Sequence, residues 1–304
     1  MDHPIRIGVD LGGTKTEVIA LAADGREIYR KRTATPSGDY AAQIDLVAGL
    51  VAELEQAVGA LGTVGVGIPG AISPATGLIK NANSNWLIGK PLDRDLAAAL
   101  GRPVRLQNDA NCLAVSEATD GAAAGCDVVF AAILGTGVGG GIVVRGWPLT
   151  GRNAIAGEWG HTQLAWREAS ERPGPACYCG LHGCLETLLS GPGLAADYRA
   201  ATGRDLRGEA IATRAAEGDV EAEAALQRYD SRLARGLATV INVLDPDVIV
   251  LGGGLSNLDR LYRNVPAIWD RWVFSDRVDT PLRKAAHGDS SGVRGAAWLW
   301  PPTA

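Results

Sequence analysis

Short apolar runs that end in glycine alternate along this chain with longer stretches of helical period. Ile5–Val9 reads as a buried strand, Asp10-Leu11-Gly12-Gly13-Thr14-Lys15 as a turn, and Val18–Leu21 as the returning strand. The turn Ala23-Asp24-Gly25 predicts a third strand over Glu27–Arg32. Residues 41–60 predict a helix, with Ile44, Val47, Leu50, Val51, Leu54 and Val58 on one stripe. A buried strand, Val64–Ile68, ends in Pro69-Gly70, and a short helix is expected over Leu92–Leu100. Val104–Leu106 reads as a strand running into Gln107-Asn108-Asp109-Ala110-Asn111, which opens the next helix.

The second half repeats the opening. Val128–Leu134, the glycine-rich turn from Gly135-Thr136-Gly137 to Gly141, and Ile142–Val144 follow the same strand, glycine-threonine turn, strand plan, which indicates an internally duplicated α/β unit. Leu206–Tyr229 has helical spacing and Leu233–Leu244 continues as an apolar helix. Asp245-Pro246-Asp247 breaks it, and Val248–Leu251 is a strand too apolar to be exposed. Gly252-Gly253-Gly254 follows, and Val293–Trp300 is expected to pack as a final helix.

Composition narrows the class. At 304 residues the chain suits two domains with a cleft between them, and forty glycines against two phenylalanines indicate many tight turns. A net charge of -5 leaves no electrostatic footprint for nucleic acid or an anionic membrane, so small molecules are the expected partners. No apolar run approaches the roughly 18–20 residues that span a bilayer, and no leader pattern precedes Ile5. A cytoplasmic protein is expected. Five cysteines, three of them crowded together, read as metal ligands rather than a disulfide framework.

The candidate chemistry lies in the turns and in the cysteine stretch. Two glycines and a threonine between antiparallel strands present backbone N–H groups to an anion, or merely form a tight turn; two such hairpins favour a polyphosphate site. The lysine-serine ending of a P-loop is missing from the first. Gly252-Gly253-Gly254 lets a flat ligand such as a purine lie against backbone, or lets a helix pack closely. Asp109 at a strand end is either a helix N-cap or a base. Asn81-Ala82-Asn83-Ser84-Asn85-Trp86 is turn chemistry or a sugar surface of amides beside an indole. His161, Cys177, Cys179 and Cys184 make a closed tetrahedral set suited to structural zinc, with His182 as a rival to His161. Glu158 and Glu186 flank the ligands as solvated acids or as carboxylates held by the metal knot.

Together these residues resemble the ROK family of sugar kinases. The stretch from Leu134 through Gly151 to Gly157-Glu158-Trp159-Gly160-His161 looks like its signature, and Cys177-Tyr178-Cys179 with Cys184 like its zinc site. Within the family the likeness is to bacterial fructokinases of the mannofructokinase type. It rests on Asp10–Glu17, Lys80–Ser84, Asn108–Cys112, Cys177–Gly180 and Gly288–Gly295, whereas Trp166–Ala176 carries no motif and is expected to vary freely.

The resemblance implies an α/β, duplicated actin/hexokinase-like (ribonuclease H-like) fold with two domains flanking a cleft. The domains would be 1–117 with about 290–304, and 118–289 with the zinc site. It implies ATP- and Mg2+-dependent phosphorylation of fructose at the 6-hydroxyl, with Asp109 as general base. Asp10, Gly12, Gly13, Thr14 and Lys15 would hold phosphates, with Asp10 near the magnesium. Thr136 and Gly137 would grip them from the other domain, and Gly253 and Gly254 would lie under adenine. Asn83, Asn108, Glu158, His161 and Glu186 would read the sugar, and a homodimer is implied. The rivals are a kinase of glucose, mannose or N-acetylglucosamine, a sugar-responsive repressor, and a non-catalytic sugar-binding protein.

Overall fold

The computed structural model describes residues 5–300; residues 1–4 and 301–304, the ends of the expected N-terminal domain, lie outside the described residues. The chain forms two compact units. Unit one is Met1–Gly125 with Gly141–Ala156 and Asp289–Ala304, and unit two is Cys126–Gly140 with Gly157–Gly288.

Unit one opens with β1 (Ile5–Leu11), β2 (Lys15–Ala22) and β3 (Glu27–Ala34), each antiparallel to the next. Then come α1 (Tyr40–Val58) and β4 (Gly62–Ile68), followed by the short pair β5 (Ala71–Ile72) and β6 (Ile79–Lys80). After α2 (Leu92–Leu100) and β7 (Val104–Asn108), the chain enters α3 (Asp109–Asp120) without a loop. The sheet order is β3-β2-β1-β4-β7, with β1, β4 and β7 parallel. α1 forms where its stripe predicts, because the Asp39 side chain accepts the Ala42 N–H at 3.0 Å and Gly59, at φ 73°, stops the helix. Val47, Val51 and Leu54 then meet Val9, Val66 and Ile68 of the sheet in one core.

In unit two β8 (Val128–Leu134) leads through a turn into β9 (Val138–Val144). β9 ends in unit one, where it pairs with β10 (Trp147–Pro148). The helices of unit two begin with α4 (Glu186–Leu189), α5 (Gly191–Thr202), α6 (Gly208–Ala216) and α7 (Val220–Leu244). Then follow β11 (Val248–Gly252), α8 (Leu261–Asn264) and β12 (Leu282–Lys284), with β11 parallel to both β8 and β12.

The helical region after 206 differs from the two-part helix predicted by its spacing. The break falls at Gly218 (φ 92°) and Asp219, which accepts from the N–H groups of Glu221 and Ala222, both at 3.0 Å. From there α7 runs unbroken for 25 residues, because Asp230, Arg232 and Arg235, which read as polar interruptions, are buried in ion pairs.

The last helix, α9 (Ser291–Ala297), starts and stops earlier than predicted and packs in unit one on β1 and β4. It comes so close that a Cβ on Gly8 would stand 2.0 Å from the Val293 carbonyl, and one on Gly65 1.9 Å from that of Ala296. Beyond it the Trp300 indole donates to the Val64 carbonyl at 2.7 Å. Among the described residues no helix is long and apolar enough to cross a membrane.

Candidate functional site

In unit one the candidate groups collect at the carboxyl ends of β1 and β7. Gly12 closes its turn by donating to the Lys15 carbonyl at 3.1 Å, leaving Thr14 and Lys15 exposed. A Cβ on Gly13 would meet the Ser84 hydroxyl at 3.0 Å, so the asparagine-rich loop touches this turn. Within that loop Asn83 is exposed, whereas Trp86 packs against the core. The indole expected as a sugar platform therefore serves the fold.

Asp10 stands across from Glu17 in the β1–β2 register, and Glu17 is already paired with Arg30 and Arg32. The space around the Asp10 carboxylate is kept by backbone: a Cβ on Gly67 or Gly292 would lie 3.8 or 3.7 Å from its oxygens. Burial, then the charges of Asp109 and Glu17, push its pKa up to about 7, and Arg32 offsets only part of that. A buried carboxylate under this pressure is suited to a cation.

The two readings of Asp109 separate once the cap is located. Asn108 is the N-cap of α3: its side chain accepts the Ala110 N–H at 2.9 Å, while its amide donates to the Gly70 carbonyl at 3.3 Å. Asp109 is the first residue of the helix, exposed, with one carboxylate oxygen 2.8 Å from the same N–H. Cys112, one turn on, is fully buried, and burial, then Asp10 and Asp109, raise its pKa.

In unit two the Gly135–Gly137 turn is braced from below. Glu186 accepts the Val138 N–H at 3.0 Å, and a Cβ on Gly137 would stand 2.7 Å from the same carboxylate oxygen. The structure thus brings Glu186 to this turn, while Glu158 stays exposed. Between them Trp159 is buried edge-on to Phe130 and donates to the Gly139 carbonyl at 2.7 Å. Thr136 and Gly254 line a cavity of ≈ 730 Å³ within this unit. Gly137 and Gly253 do not line it; at φ 82°, Gly253 turns the chain tightly beneath Leu134.

The donor atoms of His161, Cys177, Cys179 and Cys184 all lie within 4.8 Å of one another. The Cys177 sulfur is 3.7 Å from His161 Nδ1, and the Cys179 and Cys184 sulfurs are 3.6 Å apart. A hydrogen bond from the Leu181 backbone lowers the Cys179 pKa to about 7, whereas burial pushes Cys184 up to about 12. An imidazole and three thiols converging at this distance suit a tetrahedral thiophilic cation. His161 Nε2 meets the Tyr178 hydroxyl at 2.9 Å, which orients the ring. His182 stands apart, its backbone bridged to Ala176 and Gln163.

Sequence patterning missed what anchors this loop. Glu171, in the stretch expected to vary freely, is bonded to Arg235 at 2.6 and 2.8 Å and to Arg232 at 3.0 Å, and Arg232 continues to Asp197 at 2.7 Å. Burial opposes its charge, but Arg235, the Glu168 backbone N–H and Arg232 hold its pKa down at about 2. Its partners lie more than sixty residues away, and no local signal marks it. No local signal marks Arg207 or Glu209, which line the cavity, either.

A sequence model of the ROK family matches residues 6–303. The chain belongs to the ROK family. Among curated ROK relatives, the N-acetyl-D-glucosamine kinase of Vibrio cholerae is 41% identical over 296 residues, covering 96% of this chain and 98% of that protein. The Escherichia coli N-acetyl-D-glucosamine kinase is 40% identical over 297 residues, with the same coverage. The ROK hexokinase of Thermus thermophilus superposes with a TM-score of 0.86 at 32% identity over 97% of each chain. The fold is the actin- and hexokinase-like one, with a cluster able to hold a structural metal. The expectation of a ROK sugar kinase therefore stands, and its finer part does not. These full-length relatives are N-acetylglucosamine kinases, which overturns the likeness to fructokinases and the reading of fructose as substrate.

Proposed function

We propose that this ROK protein transfers the γ-phosphoryl group of ATP to the 6-hydroxyl of N-acetyl-D-glucosamine. The likeness to N-acetylglucosamine kinases at 40–41% identity over 96% of the chain carries this reading. Phosphoryl transfer asks a protein mainly to position groups and neutralise charge. Asp109, exposed at the head of α3 where Asn108 supplies the N-cap, is the base that accepts the hydroxyl proton. The N–H groups and hydroxyls of Gly13, Thr14, Thr136 and Gly137, with the Lys15 ammonium, hold phosphate oxygens, and Gly12 shapes the first turn. Asp10 and its backbone-lined surroundings fit Mg2+, which when bound would offset charge on the phosphates.

Asn83, Asn108, Glu158 and His161 read the sugar hydroxyls and the 2-acetamido group, using paired donors and acceptors. Glu186, engaged by the Val138 N–H, suits bracing the phosphate turn better than reading sugar. Gly254 and the cavity beside it take the adenine. The donor set of the cysteine loop fits Zn2+, which would hold that loop rigid. A homodimer is proposed on the family resemblance alone.

The test compares kcat/KM for N-acetylglucosamine, glucose, mannose and fructose with ATP under one condition. N-acetylglucosamine is expected to lead by at least about tenfold, since a site that hydrogen-bonds an acetamide is left with unpaired groups by a hydroxyl. Preference for any other hexose would overturn the substrate, and no turnover with any would overturn the kinase.

A further inference from the structure

The cavity in unit two has apolar walls and a rim biased toward hydrogen-bond acceptors. Pro192, Ala195 and Ala212 line it together with Leu255 and Leu258. A Cβ on Gly254 would meet nothing within 4 Å, so a planar ring has room against the backbone there. Asn257 donates its amide N–H to the Gly254 carbonyl at 3.2 Å, which leaves its own oxygen to accept. Glu209, in the first turn of α6, is an acceptor outright. Arg207, which precedes that helix, also lines the cavity. Both charged residues are exposed, and among the described residues neither side chain has a hydrogen-bond or ion-pair partner.

We propose that Glu209, which lines the same cavity as Asn257, selects the base of the phosphoryl donor by accepting a hydrogen bond from an exocyclic amino group, favouring a 6-aminopurine over a 6-oxopurine. This rests on the reading of the cavity as the nucleotide site. Adenine and hypoxanthine are of equal size and would fill the apolar walls equally, so packing does not separate them. A 6-oxo group would set one acceptor against two others, and a carboxylate that loses water without gaining a donor is penalised. Sites that discriminate through a missing partner can do so by large factors. Because Glu209 remains open to water, a moderate preference of about tenfold is expected. The Arg207 cation attracts every nucleoside triphosphate alike and does not read the base.

The experiment measures kcat/KM for ATP and for ITP, with N-acetylglucosamine as acceptor, in the unaltered protein and in Glu209→Gln and Arg207→Met. The unaltered protein is expected to prefer ATP about tenfold. Glu209→Gln should bring the ratio close to one, largely by improving ITP, because a glutamine amide can donate to the 6-oxo group. Arg207→Met should weaken both donors by the same factor. No preference in the unaltered protein, or a ratio unchanged in Glu209→Gln, overturns the proposal, and so does a ratio that responds only to Arg207→Met. No turnover with either nucleotide in the unaltered protein would instead overturn the kinase reading beneath it.

Discussion

The two glycine-threonine turns share a backbone plan and differ in where each finds its acid. In unit one the strand itself supplies Asp10, three residues before Gly13, and the protein surrounds that carboxylate with glycine backbone and pushes its pKa up to about 7. In unit two the corresponding position, three residues before Gly135, is Ala132, which is fully buried in the core. The acid there is Glu186, which arrives from a helix and bonds the Val138 N–H. One turn keeps a carboxylate poised for a cation, and the other uses its carboxylate as a brace. Duplication preserved the hairpin, while the side chains divided the work.

The largest effect expected is at Asp109, at the head of α3, whose charge helps push up the pKa of the poised acid. Asp109→Asn keeps the helix start, because Asn108 is the cap, and kcat should fall about 10²–10⁴-fold with sugar affinity retained in calorimetry. Undiminished turnover would remove it as the base.

Next comes the direct contrast between the two acids. Asp10→Asn should lower kcat/KM about 10–100-fold and raise the Mg2+ concentration needed. Glu186→Gln keeps an oxygen for Val138 and should lose no more than about threefold. Equal losses in a magnesium titration would erase the distinction drawn between the turns.

The bracing of unit two can be tested beyond Glu186. Glu171→Gln leaves the buried Arg235 without its carboxylate, while Arg232 keeps Asp197, and should cost about 3–5 kcal/mol in denaturant unfolding of that unit. The folded pKa of Glu171, about 2, lies below the unfolded value of about 4.3. Its contribution is therefore complete above the unfolded value and is lost as pH falls toward 2. Acid unfolding of the variant should lack that loss. Cys179→Ser should bind substoichiometric zinc by elemental analysis, and sugar affinity should fall with the metal. Full activity without metal would leave the cluster no structural role.

The smallest effects belong to the turn glycines. Gly137→Ala must displace the Glu186 carboxylate, and Gly13→Ala only crowds the Ser84 hydroxyl. The first should raise the KM for ATP about three- to tenfold and the second less, each measured at saturating sugar.

Much of this architecture could be read before any coordinates. Hydrophobic runs located β8 to the residue, and Cys-x-Cys-x4-Cys pointed to the metal cluster, because ligand spacing within one loop is a local property. The strand end at Asn108 and Asp109 was also visible, but that Asn108 would be the cap and Asp109 the exposed first residue of the helix was not. That depended on where Ala110 and Gly70 came to lie. Glu171 stood in a stretch without a motif, and its arginine partners sit more than sixty residues further on, in α7. The sugar was misread because the likeness to fructokinases rested on short motifs, whereas the likeness to N-acetylglucosamine kinases runs over 96% of the chain.

The sequence by itself determined the secondary-structure rhythm, the duplicated glycine turns and the thiol-imidazole donor set from residue pattern, and its motifs, by their resemblance to the ROK family, pointed to sugar-kinase chemistry. Tertiary structure alone decided the raised pKa of Asp10, the pairing of Glu171 with Arg232 and Arg235, the engagement of Glu186 at the second turn, and the walls of the cavity in unit two. Each depends on a low-dielectric neighbourhood or a packing contact assembled from segments tens of residues apart, and a one-dimensional pattern does not contain those distances.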